Sequence, residues 1–454
     1  MELPNYFLAD LPPEATLTAA MVAEACQTLK RNRERYLALR STQSLVALLS
    51  DVGQSWLQPD YPFRQVALEQ GPAATGFSRA TLATGLDAFF KQLTPERFQA
   101  LLQQDLGPAQ RLDQLASTDS EQATGRASVA NGPELIAHVT AGNLPTPTLM
   151  SMVLGFLARS AQFVKCATGA ALIPRLFAHS VYEAERKLGA CLEIVEWPGG
   201  SADLESALFS EADCVTATGS DETLKAIRER LPPTARFLGY GHRVSFGYVA
   251  AEVLTGFNAK QCAGRAAVDV AAWNQLGCLS PHVIYVQDGG VLSPEKFAEL
   301  LADAMTEREE IEPRGEPPVA AAAAIASRRS IYEVRAAHSP DTLHWSSRGS
   351  TAWTVVYEAD PRFQLSCLYR FVYVKGVKDL AQALQSADSY RGKVSTVGLA
   401  VPEHKAQEMA TELARWGVSR VCPLGQMQNP PLTWRHDGRP ALGDLVRWTD
   451  WEMG

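Results

Sequence analysis

The chain has 454 residues, of which 46% are hydrophobic and 20% charged, enough for two or three soluble domains with a sizeable buried core. Its formal net charge is −8 and its pI about 5.6. That balance argues against nucleic acid as the main partner, because phosphate binders usually carry a basic surplus; it leaves room for a local basic pocket holding one small phosphorylated ligand.

The opening stretch MELPNYFLADLPPEATL has neither a basic start nor a long apolar run, so it does not read as a secretory signal. Residues 14–57 and 78–105 space Leu, Ala, Val and Phe as helices do, and 107–132 is polar and aperiodic, which predicts a loop or linker. From there strands and helices alternate. ELIAHVT (134–140) reads as a strand, and Thr146-Pro147 as an N-cap with proline at the first helical position of a helix ending near Ser160. That helix lies in the most apolar long window, 144–164, which contains Arg159 and two prolines and reads as a buried helix with no membrane insertion. The strands QFVKCAT, CLEIVEW, CVTATG and ARFLGYG follow, separated by helices at 171–189, 202–209 and 220–231. Such alternation over about a hundred residues indicates a doubly wound parallel α/β sheet, whose ligands sit at the carboxyl ends of its strands. A helix is expected over 250–273, then NQLGCLSP and the strand HVIYV, then helices at 293–311 and 317–337 and a second alternating region to RVCPLG. The domains expected are an N-terminal helical region and linker (1–130), a cofactor-binding domain (131–241), a thiol-bearing domain (242–430) and a tail (431–454). The charged run TEREEIEPRGE (306–316) reads as a solvated helix end and loop.

Eight cysteines are scattered without a CxxC pair, so neither a disulfide framework nor a structural zinc site is expected, and the thiols fit a reducing, cytoplasmic setting. Cys278 is the thiol of interest. A lone cysteine is most often a small buried hydrophobe. Against that, Gly277 leaves room for a ligand to approach, Ser280-Pro281 ends a turn and opens a strand, and the junction makes a thiol reachable. These features alone leave the two readings about even. His282, four residues on, has no second ligand pair at zinc-like spacing and reads as a strand residue facing a neighbour; no metal site is expected. Asn143, in AGNLP, follows the first strand of the sheet, where its amide could stabilise an oxyanion or simply make a turn. Lys165 ends the second strand, where a lysine is either solvated or set to hold a ribose hydroxyl or an adenosine phosphate. Gly219 and Ser220 open a helix, either as an anion site or as an ordinary Ser cap followed by Asp221 and Glu222. No GxGxxG turn is present, so a standard Rossmann dehydrogenase is not indicated.

Taken together, AGNLP, KCATGAALIP, TATGS and NQLGC resemble, in order and approximate spacing, the segments of the aldehyde dehydrogenase superfamily. Within it, the GNxPxP loop, NQxGCxSPxxIYV and the tail WRHDGRPALGDLVRW (434–448) are similar to the acyl-CoA reductase family of LuxC-type fatty-acid reductases. The resemblance spans roughly 130–454. It implies two Rossmann-like domains with the active site in the cleft between them. It implies Cys278 as nucleophile, Asn143 as oxyanion donor, and Lys165, Gly219 and Ser220 as cofactor contacts. Gln364, in FQLSCLYRF, stands near the superfamily's glutamate that holds the nicotinamide ribose, and Phe237, in RFLGYGHR, stands where ordinary aldehyde dehydrogenases carry a water-activating glutamate. The implied activity is reduction of a fatty-acyl thioester to an aldehyde with NADPH, NADH being the alternative. Implied partners are an acyl-CoA, acyl-carrier or acyl-synthetase donor, and further copies of the chain in a homo-oligomer. The competing readings are an aldehyde dehydrogenase working oxidatively and a non-catalytic, dehydrogenase-like partner of an acyl-activating complex.

Overall fold

The computed structural model describes residues 3–12 and 14–452. Its strands are β1 (Arg126–Asn131), β2 (Leu135–Val139), β3 (Ala161–Cys166), β4 (Leu192–Glu196), β5 (Cys214–Thr218), β6 (Arg236–Tyr240) and β7 (Val244–Val249). After these come β8 (Pro281–Gln287), β9 (Thr342–Ser346), β10 (Thr354–Glu358), β11 (Phe371–Val377), β12 (Val394–Ala400), β13 (Arg420–Pro423) and β14 (Arg447–Glu452). The chain divides into two compact units, one of residues 1–75, 86–241 and 431–454, the other of 76–85 and 242–430.

In the first unit a fully parallel sheet runs β4-β3-β2-β5-β6. The strands are near-continuous apolar runs because helices cover both faces. Val22, Cys26 and Leu29 recur at helical spacing along Ala19–Tyr36 and pack with Phe163, Val215 and Trp197 on one face. Burying each such side chain stabilises by about 1.5–3 kcal/mol. On the other face His138 bridges strands, its ring nitrogens bonded to Thr216 Oγ1 (2.7 Å) and Gln162 Oε1 (3.1 Å), while Gln162 Nε2 donates to the Met152 carbonyl (3.1 Å) and ties down the helix Thr146–Leu157. That helix begins with Pro145 as its N-cap and Thr146 as its first residue, one position earlier than the sequence predicts.

Two sequence expectations change in this unit. The stretch 107–132 is not all loop: it holds a short helix, Asp119–Ala123, and β1, which pairs antiparallel with β14 of the expected tail. Neither strand alternates apolar and polar residues strongly, and the partners lie far apart in sequence, so no local pattern announces them.

In the second unit a seven-stranded sheet runs β13-β12-β7-β8-β11-β10-β9, parallel except for β9 at one edge. Alternate residues point to opposite cores: Val249, Ile284, Val355 and Val372 meet the helices Gly256–Ala271 and Pro294–Ile311, whereas Phe246, Tyr285, Val356 and Tyr373 meet Val319–His338 and Glu403–Trp416. The helix expected over 250–273 is shorter, because Trp273, Asn274 and Gln275 all take left-handed backbone angles (φ 51, 53 and 65).

Asp269, on the helix Gly256–Ala271, is 1% exposed, and its carboxylate accepts from Gly425 N (2.5 Å) and Met427 N (2.9 Å). Burial pushes its pKa up to about 7, against the two N–H bonds and the Arg420 charge, which pull it down. The native protein therefore holds a proton that the unfolded chain, with a pKa of about 4, releases. Stability from this group is greatest below about pH 4, declines as pH rises to about 7, and is level above. In urea titrations the stability margin of wild type over Asp269→Asn should be larger at pH 5 than at pH 8; a constant margin would show that this carboxyl does not titrate there.

Candidate active site

Five of the eight cysteines are buried, and only Cys278, Cys367 and Cys422 are partly open. Burial pushes Cys26, Cys166, Cys191 and Cys214 up to about 12 and Cys422 to about 11, which keeps these thiols protonated and unreactive at neutral pH. Cys278 lies in the loop that enters β8, at the amino end of that strand. Its carbonyl accepts from Ser245 Oγ (2.7 Å) at the start of β7, and the same hydroxyl accepts from Thr396 N (3.1 Å) in β12.

The backbone before the thiol is strained and heavily tied. Three consecutive non-glycine residues in the left-handed region cost on the order of 1 kcal/mol or more each. Gln275, fully buried, offsets this cost: its Nε2 donates to the carbonyls of Pro281 (2.8 Å) and Phe371 (2.9 Å), and its Oε1 accepts from Phe371 N (2.9 Å). Asn274 Nδ2 donates to the Arg314 carbonyl (2.8 Å). Trp273 packs edge-on against Phe77 and over Gly85, where a Cβ would stand 2.0 Å from the indole, so residue 85 must be glycine. A second left-handed run, Leu368-Tyr369-Arg370, precedes β11, and the fully buried Arg370 bonds Glu309 Oε2 and the Glu312 carbonyl (both 2.7 Å). Most of 306–316 is an exposed helix end and loop, as the sequence predicts, but Glu312 and Arg314 depart from that, being 2% and 5% exposed and bracing the thiol loop. Arg370, which bonds to this run, lies some sixty residues later, which is why charge patterning alone reads all of it as solvated.

His282 faces Ser366, its Nδ1 accepting from Ser366 N (3.1 Å), and burial lowers its pKa to about 4, so it is neutral with the proton assigned to Nε2. Gln364 Nε2 donates to the hydroxyls of Tyr332 (2.9 Å) and Tyr373 (3.2 Å). Cys278 and Gln364 belong to the second unit, and the other four candidates belong to the first. Among the described residues no group of three or more His, Cys, Asp and Glu side chains could hold a metal.

In the first unit the strand order reverses between β2 and β5, the place where doubly wound sheets form a ligand crevice at their carboxyl ends. A small crevice is found there, lined by Thr140, Asn143, Thr148, Ser151, Thr216 and Thr218 among others. Asn143 is on its rim, in an exposed turn. Lys165, next along the edge in β3, is 5% exposed, and its ammonium has no hydrogen-bond partner among the described residues. Burial lowers its pKa, partly countered by Glu205 and Glu196. Ser220 caps the helix Asp221–Arg230, its hydroxyl accepting from Thr223 N (3.2 Å), and Gly219 N donates to the Tyr240 carbonyl (3.2 Å). Phe237 is in β6, with its ring 2.9 Å from the place of a Gly239 Cβ.

Sequence reading missed Gln275, Asn274, Trp273 and Ser245. The run WNQ carries no glycine to signal left-handed backbone, and an isolated serine at a strand start carries no signal at all. Gln275→Leu removes three buried hydrogen bonds, those to the Pro281 and Phe371 carbonyls and from Phe371 N, so it should lower stability by about 3 kcal/mol in urea unfolding. A loss below about 1 kcal/mol would mean that the loop does not depend on it.

The sequence over residues 37–448 matches the family described as Acyl-CoA reductase (LuxC). The chain is 23% identical over 420 residues to a long-chain acyl-protein thioester reductase of Aliivibrio fischeri, covering 90% of this chain and 82% of that one. It is 21% identical over 415 residues to the enzyme of the same name from Photorhabdus laumondii, with the same coverage. Among solved structures it is similar to the indole-3-acetaldehyde dehydrogenase AldA of P. syringae, captured with NAD+ (TM-score 0.73, 13% identity, 96% and 89% coverage), and to the aldehyde dehydrogenase KauB of Pseudomonas aeruginosa (TM-score 0.72, 13% identity, 97% and 91% coverage). At those identities the structural likeness speaks for the fold, which is that of the aldehyde dehydrogenases.

Proposed function

Since the chain belongs to the Acyl-CoA reductase (LuxC) family, we propose that it reduces a fatty-acyl thioester to an aldehyde by way of an S-acyl group on Cys278. The observation that carries this reading is the thiol loop itself: a partly open cysteine on a backbone held from both sides, among buried thiols that are inert. Cys278 as thiolate attacks the thioester carbonyl, the acyl–sulfur bond to the donor breaks, and the donor thiolate leaves and takes up a proton. Asn143 Nδ2 and the Cys278 N–H donate to the oxyanion formed on the way. When bound, the reduced nicotinamide cofactor, NADPH in preference to NADH, supplies the hydride that makes the acyl carbon an aldehyde. Collapse of the thiohemiacetal frees the aldehyde and restores the thiol.

Lys165, 5% exposed at the carboxyl edge of the parallel sheet, is placed to hold a ribose hydroxyl or an adenosine phosphate through its ammonium. Gly219 and Ser220 would flank that cofactor at the start of the helix Asp221–Arg230, and Gln364 would serve its nicotinamide side. Phe237 cannot accept a proton from water, so an S-acyl enzyme survives for hydride transfer instead of hydrolysing. This favours reduction over oxidation to an acid. The acyl donor is an acyl-CoA or an acyl-protein, the latter being the substrate named for the relatives from Aliivibrio and Photorhabdus. Mass spectrometry of the protein with palmitoyl-CoA and no cofactor should find one acyl adduct on Cys278, and none on Cys278→Ala. Asn143→Ala should lower turnover on the order of a hundredfold. An unmodified Cys278, or a loss below a fewfold, would defeat the respective assignment.

We also propose a homo-oligomer built through the β1–β14 ribbon. β14 is exposed along its whole length and its outer edge is unpaired among the described residues, whereas the other edge of β1 is met by Ala116; Trp448 and Trp451 are 43% and 52% exposed. Light scattering should report a multiple of the chain mass for wild type and a smaller one for Trp451→Glu; equal masses would remove the ribbon from the interface.

A further inference from the structure

The segment after β13 approaches the thiol loop by a route that no catalytic assignment uses. Residues 424–427 form a turn fixed at four backbone points. Asp269 takes the N–H groups of Gly425 and Met427, and Arg420 donates to the carbonyls of Met427 (2.6 Å) and Gln426 (2.8 Å). Gly425 makes the turn possible, with φ +91 and the Arg265 Cβ 2.9 Å from where its own Cβ would be. Met427, fully buried, seats its sulfur over Gly398, where a Cβ would approach to 2.7 Å. The next side chain, Gln428, donates through Nε2 to Ser280 Oγ. Ser280 is 1% exposed and closes the turn that contains the thiol, its own N–H bonded to the Gly277 carbonyl (2.9 Å).

We propose that Gln428 is a positioning residue for Cys278, a strap that holds the Gly277–Ser280 turn from the side opposite Gln275. The inference deepens the proposed acyl transfer and rests on it. Gln275 fixes the chain entering the turn and the strand leaving it, and Ser245 fixes the Cys278 carbonyl. None of these holds the side chain of Ser280, the residue that closes the turn, and the Gln428–Ser280 bond does. Its anchor is rigid because the 424–427 turn is tied both by side chains of other elements, Asp269 on a helix and Arg420 on β13, and by backbone bonds, Leu424 N to the Leu399 carbonyl (2.9 Å) and Gln426 N to the Pro423 carbonyl (3.1 Å). A displacement of the sulfur by about an ångström is enough to cost one to two orders of magnitude in a reaction that depends on approach geometry.

The test is a double-mutant cycle on full-length Gln428→Ala, Ser280→Ala and the pair together. The reading is the rate of acyl transfer from palmitoyl-CoA to Cys278 without cofactor, followed by quenched mass spectrometry. Each single variant should slow transfer roughly tenfold, and the double variant should be no slower than the worse single, since both remove one bond. Gln428→Glu, whose carboxylate accepts from the Ser280 hydroxyl, should restore most of the rate. Melting temperature should stay within a few degrees of wild type, which separates positioning from a purely structural loss. Single variants within twofold of wild type, or penalties that multiply in the double, would overturn the strap. A second reading keeps the two proposals apart. The alkylation rate of Cys278 by iodoacetamide, taken relative to Cys367 in the same sample, should change in Gln428→Ala whether or not palmitoyl-CoA is a donor. If wild type forms no acyl adduct yet this ratio shifts, the acyl-transfer reading fails and the strap stands; an unchanged ratio fails the strap.

Discussion

The second unit is organised around one constraint: a tripeptide of Trp273, Asn274 and Gln275 must be kept in left-handed backbone geometry so that the chain can turn from helix to β8 with a cysteine at the bend. Of the three, only Asn274 is of a type that takes that geometry readily. It persists because the surroundings over-determine it, with a buried amide bridging two strand starts, a second amide on the Arg314 carbonyl and an indole seated on a glycine. Under the proposed acyl transfer such stiffness has a purpose. A cysteine that carried an acyl group would have to stay in register through attack, reduction and release, and a loop free to relax would lose that register between steps.

The two units use the same kind of sheet differently. In the first, the candidate residues lie along the carboxyl edge, around the point where the strand order reverses, as the doubly wound topology leads one to expect. In the second, the thiol loop is fastened to the opposite edge, at the amino starts of β7, β8 and β11, through Ser245 and Gln275. The carboxyl-edge rule therefore locates the crevice in one unit and does not locate the candidate thiol in the other. Side-chain clamps take the place of helix termini there, which explains why amides and hydroxyls dominate around Cys278.

Much of the fold is legible in the sequence because parallel strands buried on both faces must be apolar throughout: QFVKC and HVIYV can hardly be anything else once helices flank them. The same logic fails for β1 and β14, half-exposed strands of mixed composition whose pairing depends on residues at the other end of the domain. It misses Glu312 and Arg314 within the otherwise exposed run 306–316, since a charged residue looks solvated until Arg370 is known to be buried against it. Of the candidate site, residue types at strand ends can be read directly, as with Asn143 after β2 and Lys165 in β3. The supports cannot, because a glutamine that bridges Pro281 to Phe371 is recognisable only once those two strands are adjacent.

The glycine beneath Trp273 has a bearing on how the protein comes to be assembled. Residues 76–85 precede most of the first unit in the chain yet belong with the second, and β1 finds its partner only in the last strand described. During synthesis on the ribosome an early segment must wait, undocked, until the indole it supports has emerged, and the ribbon can zip only once β14 has emerged. Neither unit is a self-contained bead that matures in turn. The nascent polypeptide interleaves them, and the bend before Cys278 gains its supports only when residues far apart in the chain have come together.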